Sequence, residues 1–566
     1  MQSIRSEDIP VENKWSVNNF VTLRWYWQWL AFSVLALVIF FPILTNTFIN
    51  DDHLVLLKVG VQKELNVDGF FRPLSDITLW ITYRLFGLNP IPFHAFQIII
   101  HALNAVLLMR YCYKLSGKQA GTNLAGLMAL LAGILFLTYP FHNEAIAWIL
   151  ARCSLMAGSL AIGAMLALVS DWKLSKKIAV IAVCYFVGMA SYETIMVLPL
   201  MVAAQMLILR MPFKQVITVM LALAITFAAH TWLRIAVSGV FINSYGKGFF
   251  QAIGFNTLLT MLKSAGRILL PPSDNSRAIL IGFVVALIML GTVLFIAWKR
   301  TKNELLSRQF FYIQLCCFII AMSVPMVLGV STRTSESDRF LYLPSLFFCS
   351  VLAFGLVYCF KRAKVRIIVV ALLLFVQVAL LQENNSNWKK ASIAVEQLLG
   401  EVKKATERPG RLLIVNMPAE IDGAFVFRIG FPEALQLYQY DSSKVKVVNI
   451  LTRDEELLLP QQEVRFIAEK PDMLLVQPST ILFKSDGNQD NGLLESGAEA
   501  GELQQLVENM ITQENQWNFA SAARANQIRM IVYKHKLTWS NMRIGILGPE
   551  DRYLIWDLRS WERPAF

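Results

Sequence analysis

Long apolar runs separated by short polar segments dominate the first two thirds of the chain. Eleven of these segments are predicted to be membrane-crossing helices, because about 20 apolar residues span the hydrocarbon core of a bilayer. Their approximate bounds are 25–45, 93–111, 122–139, 153–170, two short helices within 178–209, 215–236, 278–298, 309–330, 340–360 and 367–381. The stretch 178–209 is counted twice, because basic residues flank both of its ends and Ser191-Tyr192-Glu193-Thr194 interrupts it.

The polar segments between these runs alternate in charge. Short basic loops alternate with loops that hold acids, which is the asymmetry expected between cytoplasmic and outer loops. The polar segment 1–24 holds Arg5, Lys14 and Arg24 and is therefore predicted to be cytoplasmic. An odd number of helices then places residues 385–566 outside. The predicted domains are this N-terminal segment, a transmembrane domain over 25–384 and an extracytoplasmic domain over 385–566.

The first outer loop, 46–91, has a pattern of its own. Residues 74–86 are apolar on one face at helical spacing, which predicts an interfacial helix lying on the bilayer and ending at Gly87. A second amphipathic piece is predicted at 258–270. The first outer loop also carries Lys58, Lys63, Arg72 and Arg84, which the charge rule does not predict and which a phosphate ligand would explain.

Short apolar runs of strand length mix with helical segments after residue 385. The predicted helices and strands indicate a small α/β domain. The strands are expected at 412–415, 445–448, 463–468, 473–477, 528–533 and 543–547, and the helices at 432–438 and 499–514. The fold class is therefore an α-helical polytopic membrane protein with a C-terminal soluble α/β domain.

Composition agrees with a membrane protein. The 566 residues are 55% hydrophobic and only 16% charged, whereas soluble proteins carry about 25% charged residues. The net charge of +12 lies largely in the short basic loops, so membrane lipid and not nucleic acid is the expected partner. All seven cysteines lie in or beside apolar runs. No metal-type Cys/His cluster appears, and no cofactor is predicted, although a divalent metal is left open.

Ionisable groups gather at the ends of the helices that face the predicted outer side. Such groups are costly at the rim of a membrane bundle, so function is the default hypothesis for them. They are Asp51, Asp52, His53, Arg72, His94, His142, Glu144, Arg152, Glu193 and Arg339. The adjacent acids Asp51 and Asp52 follow the first apolar run. They are either a helix cap at the water boundary or a catalytic pair.

The chemistry of these groups suits transfer of a sugar from a lipid phosphate. A carboxylate can take the proton of an attacking hydroxyl, and arginines can stabilise the charge on a phosphate leaving group. Either acid can be the base while its neighbour caps the helix, with Asp52 slightly favoured. Each of the other residues also has a structural interpretation. His94 can make a buried polar contact between helices, and Arg152 can extend its side chain to the membrane interface. Glu193 can belong to a polar turn, and Arg339 can be a charge at the membrane boundary.

Several ordered motifs resemble the GT-C glycosyltransferases, and most closely their transmembrane-and-TPR protein O-mannosyltransferases. The similar stretches are Phe71-Arg72-Pro73-Leu74-Ser75, Leu85-Phe86-Gly87-Leu88-Asn89-Pro90, Phe93-His94, His101-Ala102-Leu103-Asn104-Ala105, residues 139–149 with Arg152, Tyr192-Glu193-Thr194, residues 337–345 and Asn387-Trp388. The chain has Tyr192 where that group has Lys, and Asp338 where it has Glu. The resemblance covers about residues 48–390 and stops there, because the TPR array of that group is missing.

The resemblance implies a polyprenyl-phosphate sugar donor, inverting transfer at the outer face and an acid of the Asp51-Asp52 pair as base. It implies donor-phosphate binding by Arg339, Arg72 and Arg152. The residues expected at the acceptor or sugar site are His53, His94, His142, Glu144, Glu193 and Tyr342. The acceptor, a protein, glycan or lipid, stays open, as does the sugar.

Two other functions fit a polytopic membrane protein. One is a transporter or flippase of lipid-linked sugars, which would show pseudo-symmetric halves with broken helices. The other is a non-catalytic membrane assembly protein that binds through its outer domain. The polar groups gather at one face and no repeat is visible, which favours the enzyme. The absence of cysteine from the outer domain predicts a bacterial inner membrane protein with a periplasmic domain.

Overall fold

Helices account for most of the ordered structure before residue 408 in the computed structural model of the chain. The structure describes residues 17–64, 70–116, 122–239, 263–273, 275–332, 334–415, 417–452, 462–470, 473–476, 481–485, 527–530, 552–556 and 561–562. The expected helix at 499–514 and strand at 543–547 lie outside these residues. So does part of the amphipathic piece at 258–270.

The α-helices follow the predicted order. Their bounds are α1 Val17–Thr22, α2 Trp25–Ile39, α3 Asp52–Val55, α4 Pro73–Phe86, α5 Pro90–Ser116, α6 Thr122–Leu137, α7 Asn143–Ala147, α8 Arg152–Leu168, α9 Leu174–Met189, α10 Leu198–Ile208, α11 Phe213–Ser238, α12 Ser276–Arg300, α13 Leu305–Leu328, α14 Tyr342–Cys359, α15 Ala363–Glu407 and α16 Phe431–Leu437. Short 3-10 turns cover Phe41–Ile43, Ile149–Ala151, Glu193–Val197, Asp338–Leu341 and Ser442–Lys444, and a π-helical segment covers Leu56–Val61.

The apolar helices confirm a polytopic membrane protein. Among the described residues, seven helices are long and apolar enough to cross a bilayer, and three shorter ones are also apolar. With α9, each of the eleven predicted segments corresponds to a helix. The number of actual crossings stays a prediction. The interfacial element predicted at 74–86 is the helix α4, which ends before Gly87 at a φ of 58°.

Two of the predicted helices differ in length from the structure. Helix α2 ends at Ile39, six residues before the expected end at 45, and the 3-10 turn that follows contains Pro42. Proline disfavours the α conformation in the residue before it, which explains the early end. Helix α15 runs to Glu407, well past the expected end at 381 and the predicted domain boundary at 384.

The chain divides into two compact units. The first contains residues 1–46, 58–389 and 422–424, and the second contains 47–57, 390–421 and 425–566. In the first unit, the most apolar stretch of Asp338–Cys359 is 89% buried and lies at the centre of the helices, whereas none of the corresponding stretch of Arg277–Arg300 is buried, as expected for a helix that faces lipid. The second unit therefore includes the acidic segment that follows α2.

The second unit holds the α/β part of the fold. Its strands are β1 Leu412–Val415, β4 Val445–Thr452, β5 Gln462–Lys470, β6 Met473–Val476, β7 Ile481–Ser485, β8 Gln527–Met530, β9 Arg552–Trp556 and β10 Trp561–Glu562, while two short strands, β2 Glu420–Ile421 and β3 Ala424–Phe425, precede α16. The main sheet has the order β10-β9-β1-β4-β7, in which β1 is parallel to both β4 and β9. The parallel pair β1 and β4 is connected through α16, as a parallel crossover requires. The predicted α/β class is confirmed.

Candidate active site

The backbone of the acidic pair in the second unit is organised by Asn50. This residue has a φ of 50°, in the left-handed region that asparagine tolerates better than most residues. Its side-chain amide donates to Asp51 Oδ1 at 2.8 Å, and its carbonyl oxygen lies 3.1 Å from His53 Nδ1. The turn therefore presents Asp51 and Asp52 on a defined backbone.

The two acids differ in accessibility. Asp52 is 1% exposed, and its Oδ2 accepts the backbone N–H of Ile49 at 3.1 Å. Asp51 is partly exposed and stands at the N-cap position of α3, but its side chain makes no capping hydrogen bond there. Asp51 is therefore the more accessible carboxylate, and its side chain does not serve as the cap of this helix.

His53 lies in an aromatic environment of the same unit. Its ring is buried, 5.2 Å from the ring of Phe427 and 5.9 Å from that of Tyr438. Burial lowers the pKa of His53, and the hydrogen bond to the Asn50 carbonyl raises it. Burial is the larger effect, so the pKa falls to about 4. The imidazole is therefore neutral at pH 7, and in this structure it contacts protein groups. Its predicted role at the sugar site stays a prediction.

An ion pair joins Glu144 and Arg339 in the first unit. The fully buried Glu144 carboxylate accepts the backbone N–H of Arg339 at 2.7 Å and also binds its guanidinium. Burial raises the pKa of the Glu144 carboxyl, and the charge of Arg339 acts in the opposite direction. The Arg339 side chain is 21% exposed. It therefore keeps a surface to which a ligand can bind.

A second ion cluster in this unit is centred on Glu193. Arg72 binds Glu193 Oε2 through Nε at 3.1 Å and Nη2 at 2.9 Å, and Arg234 reaches Oε1 at 3.3 Å. The Arg72 guanidinium also lies 4.7 Å from the ring centre of Tyr192, which stacks on Phe340. Tyr192 thus lies between this cluster and the residue next to Arg339. Two glutamates and three arginines come from separate parts of the chain.

Three other predicted site residues are fully buried among protein groups. His142 Nε2 lies 2.8 Å from the Ser345 hydroxyl, and the Tyr342 hydroxyl contacts His101 Nδ1 and the Asn104 amide, each at 2.9 Å. His94 Nε2 lies 3.0 Å from the Asn46 carbonyl oxygen, which is the buried polar contact given as its alternative. Their roles at the sugar site stay predictions.

Arg152 opens α8 with a buried side chain. It is fully buried, donates from Nε to the Ile149 carbonyl at 3.1 Å and lies over the rings of Phe93 and Phe96 at 5.6 and 5.0 Å. A side chain that extends to the interface would be exposed at its end, so that alternative does not describe this structure. Of the three arginines predicted to bind phosphate, Arg72 and Arg339 are partly exposed and Arg152 is not.

Two arginines of these clusters were not identified from the sequence. Arg234 lies near the end of α11, and a charge in an otherwise apolar helix was a signal for it. Arg267 lies in the second amphipathic piece and pairs with Asp338 at 2.5 Å, with 1% and 2% of the two side chains exposed. Nothing in the sequence pattern of that piece indicates this partner. Within the described residues, no group of three potential metal ligands converges.

Comparison with known proteins relates the chain to one group of enzymes. A region of 330 aligned residues is 24% identical to Protein O-mannosyl-transferase F38B6.6 of Caenorhabditis elegans and covers 54% of this chain and 45% of that protein. A shorter region of 87 residues is 37% identical to Protein O-mannosyl-transferase TMTC1 of Homo sapiens, covering 15% of this chain and 9% of that protein. The chain therefore matches less than half the length of either relative. No protein-family model matches it.

Two solved structures also show weak similarity to the chain. ArnT from Cupriavidus metallidurans in the apo state is 11% identical with a TM-score of 0.33, over 74% of this chain and 92% of that one. The Archaeoglobus fulgidus oligosaccharyltransferase in the apo form is 11% identical with a TM-score of 0.36, over 82% and 75%. TM-scores this low do not establish a common fold, so the relationship rests on the sequence matches. In sequence the chain is similar to the protein O-mannosyl-transferases, the group that its motifs resemble.

Proposed function

We propose that this chain is an integral membrane glycosyltransferase that moves a sugar from a polyprenyl-phosphate donor to an acceptor hydroxyl. The observation that carries the proposal is the acidic pair on its turn, with Asp51 partly exposed and Asp52 buried against the Ile49 N–H. The relatives named as O-mannosyl-transferases support the reaction class. The acceptor is a protein, a glycan or a lipid.

Asp51 is the proton acceptor in this proposal, and this differs from the slight preference for Asp52 drawn from the sequence. A base must reach the proton that it takes, and Asp51 is the more exposed acid. The acceptor hydroxyl gives its proton to Asp51 while its oxygen bonds to the anomeric carbon. The bond from that carbon to the phosphate oxygen breaks, and polyprenyl phosphate leaves. A single displacement of this kind inverts the anomeric configuration.

Arg72 and Arg339 bind the donor phosphate in this proposal. Guanidinium groups bind phosphate through two parallel hydrogen bonds, and a partly exposed guanidinium keeps donors for a ligand. Their side chains are 26% and 21% exposed, and each is oriented by a glutamate. Arg152, which is fully buried, would bind phosphate only after a rearrangement of the Phe93 and Phe96 side chains around it.

In this proposal the reaction takes place on the extracytoplasmic side of a bacterial inner membrane, with the N-terminus cytoplasmic and residues 385–566 outside. This orientation follows from the basic loops and an odd number of crossings. Protease added to intact spheroplasts should therefore remove the C-terminal domain, and protection of that domain would contradict the orientation.

Sugar transfer by acid variants tests the function directly. Purified protein in nanodiscs is supplied with a panel of polyprenyl-phosphate hexoses, the mannose form included, and with cell-envelope material as acceptor. Mass spectrometry then measures the polyprenyl phosphate released and the glycosylated product. Asp51→Asn should lower the rate by at least about 100-fold, the lower range for loss of a general base. The double variant with Asp52→Asn should be inactive.

The matched control is Glu401→Gln, which neutralises a carboxylate paired with Lys404 on an exposed face of α15. It should keep the wild-type rate. A fully active double variant would disprove the proposed mechanism. Movement of labelled lipid-linked sugar across proteoliposomes, with no transfer from any donor, would instead support the flippase alternative.

A further inference from the structure

We infer that residues 425–438 of the C-terminal unit hold the catalytic acids in place, and that Asn50 is the positioning residue through which they act. The inference rests on the proposed function, since it assumes that Asp51 takes part in catalysis. It makes a segment of the C-terminal domain part of the catalytic machinery and not only a site for the acceptor. All the residues involved belong to the second compact unit.

Asn50 is bonded to this segment through both its backbone and its side chain. Its backbone N–H donates to the Val426 carbonyl at 2.7 Å, and its Oδ1 accepts the Ile429 N–H at 2.9 Å. These bonds offset the cost of its left-handed backbone, which a residue with a side chain adopts only against steric repulsion.

The side-chain amide of Asn50 connects the segment to the catalytic acid. A backbone N–H can only donate and an ionised carboxylate can only accept, so the amide oxygen must face Ile429 and the amide nitrogen must face Asp51. The observed bonds have this arrangement, with Nδ2 2.8 Å from Asp51 Oδ1. Alanine at this position removes both ends of the connection, and aspartate removes the donor.

Gly430 permits the close approach of the two segments. It has a φ of 89°, and a Cβ atom there would lie 2.5 Å from the Asn50 carbonyl oxygen. That oxygen belongs to the backbone, so a side chain could not be accommodated without moving the turn. Any residue other than glycine at 430 should therefore displace the acidic pair without changing a catalytic group.

Aromatic packing fixes the other end of the turn. The buried His53 ring lies 5.2 Å from the Phe427 ring and 5.9 Å from the Tyr438 ring, while its Nδ1 contacts the Asn50 carbonyl. Helix α16, which ends just before Tyr438, also packs on α3, the helix that begins at Asp52. Contacts on both sides of Asp51 and Asp52 leave these two residues little freedom to move relative to the segment.

The test compares variants of Asn50 and Gly430 in the full chain with the donor assay described above. Asn50→Ala and Asn50→Gly should each lower kcat at least about tenfold with the KM for the lipid donor changed less than threefold. Asn50→Gly can keep the left-handed backbone and loses only the side-chain amide. It therefore tests the positioning role of Asn50 even if Asn50→Ala does not fold. Asn50→Asp should shift the acidic limb of the pH–rate profile to higher pH, because a third carboxylate then stands beside Asp51.

Gly430→Ala should reproduce the loss in kcat from the opposite side of the contact. Its matched control is Gly400→Ala in α15, where a Cβ would meet no atom within 4 Å. Hydrogen exchange gives a readout that does not depend on activity. The backbone N–H of Asn50, which donates to the Val426 carbonyl, should exchange its hydrogen at least about tenfold faster in Gly430→Ala than in the wild type or in Gly400→Ala.

The outcomes separate this inference from the proposed function. If the double acid variant is inactive while Asn50→Gly and Gly430→Ala keep the wild-type kcat, the positioning role is wrong and the glycosyltransferase stands. Unchanged exchange at Asn50 in Gly430→Ala would also overturn it. If the double acid variant is fully active, the proposed function itself has failed.

Discussion

The buried ion pair between Arg267 and Asp338 should contribute strongly to the stability of the first unit. Arg267→Met removes the 2.5 Å bond to Asp338 Oδ2, a bond of 2.7 Å to the Leu270 carbonyl and the contact of the guanidinium with the Phe141 ring at 4.2 Å. Removing one partner of a buried pair costs about 3–5 kcal/mol, because the remaining charge loses its counter-ion in a poorly solvated site. With both side chains at most 2% exposed, the full range applies.

The assay is unfolding of the purified protein in mixed micelles as the SDS fraction rises, followed by tryptophan fluorescence. A loss of about 3 kcal/mol corresponds to a change of the order of 100-fold in the unfolding equilibrium. The double variant Arg267→Met with Asp338→Asn should recover about 2 kcal/mol of this loss, because it leaves no unpaired charge. Arg300→Met is the matched control, because the exposed Arg300 donates to the Tyr358 and Cys359 carbonyls at the end of α14 and, among the described residues, has no acidic partner. It should cost about 1 kcal/mol or less.

The predicted stabilisation by this pair would be refuted by a single variant that unfolds like the Arg300→Met control. It would also be refuted by a double variant that is less stable than Arg267→Met alone. In either case the charge of Arg267 would not depend on Asp338 for its compensation in the folded protein.

Two further predictions concern buried polar groups outside this pair. The pKa of His53 is about 4 in the folded chain and about 6.5 when unfolded, so the unfolded state binds the extra proton first as the pH falls. The contribution of His53 to the stability of the second unit should therefore be constant above pH 6.5 and fall by about 3 kcal/mol between pH 6.5 and 4. Chemical denaturation measured across this pH range should show the fall. The His53→Phe variant should not show this contribution. Tyr342→Phe should cost about 1–3 kcal/mol in SDS unfolding, because the His101 ring and the Asn104 amide lose the buried hydroxyl that both contact. A loss below about 0.5 kcal/mol would contradict the importance of that hydroxyl.

Much of the helical architecture could be predicted from the sequence. A run of apolar residues long enough to span a bilayer is a local property, and each predicted segment corresponds to a helix in the structure. The ends were less predictable. Pro42 shortens α2, as a local rule would have indicated. The extension of α15 to Glu407 was not predicted. Its later turns have polar residues on the exposed face and apolar residues on the buried face, so they do not form the continuous apolar run on which the prediction was based.

The members of the site were more predictable than their arrangement. Ionisable residues at the ends of apolar helices are conspicuous, so Arg72, Glu193 and Arg339 were identified from the sequence. The pairing of Arg72 with Glu193 joins residues 121 positions apart, and nothing local encodes it. Arg267 was missed for the same reason, because its pairing with Asp338, 71 positions away, is not visible in the sequence.

The sequence by itself determined the membrane class, the order of the helices, the presence of an α/β part and the similarity to the O-mannosyl-transferases. These follow from residue periodicity, from length and from ordered motifs, all of which are read along the chain. Only the tertiary structure decided that Asp51 is accessible while Asp52 is buried, and that Asn50 joins the acidic turn to Val426 and Ile429. Burial and hydrogen bonding depend on segments that are hundreds of residues apart, and their contact exists only once the chain has folded.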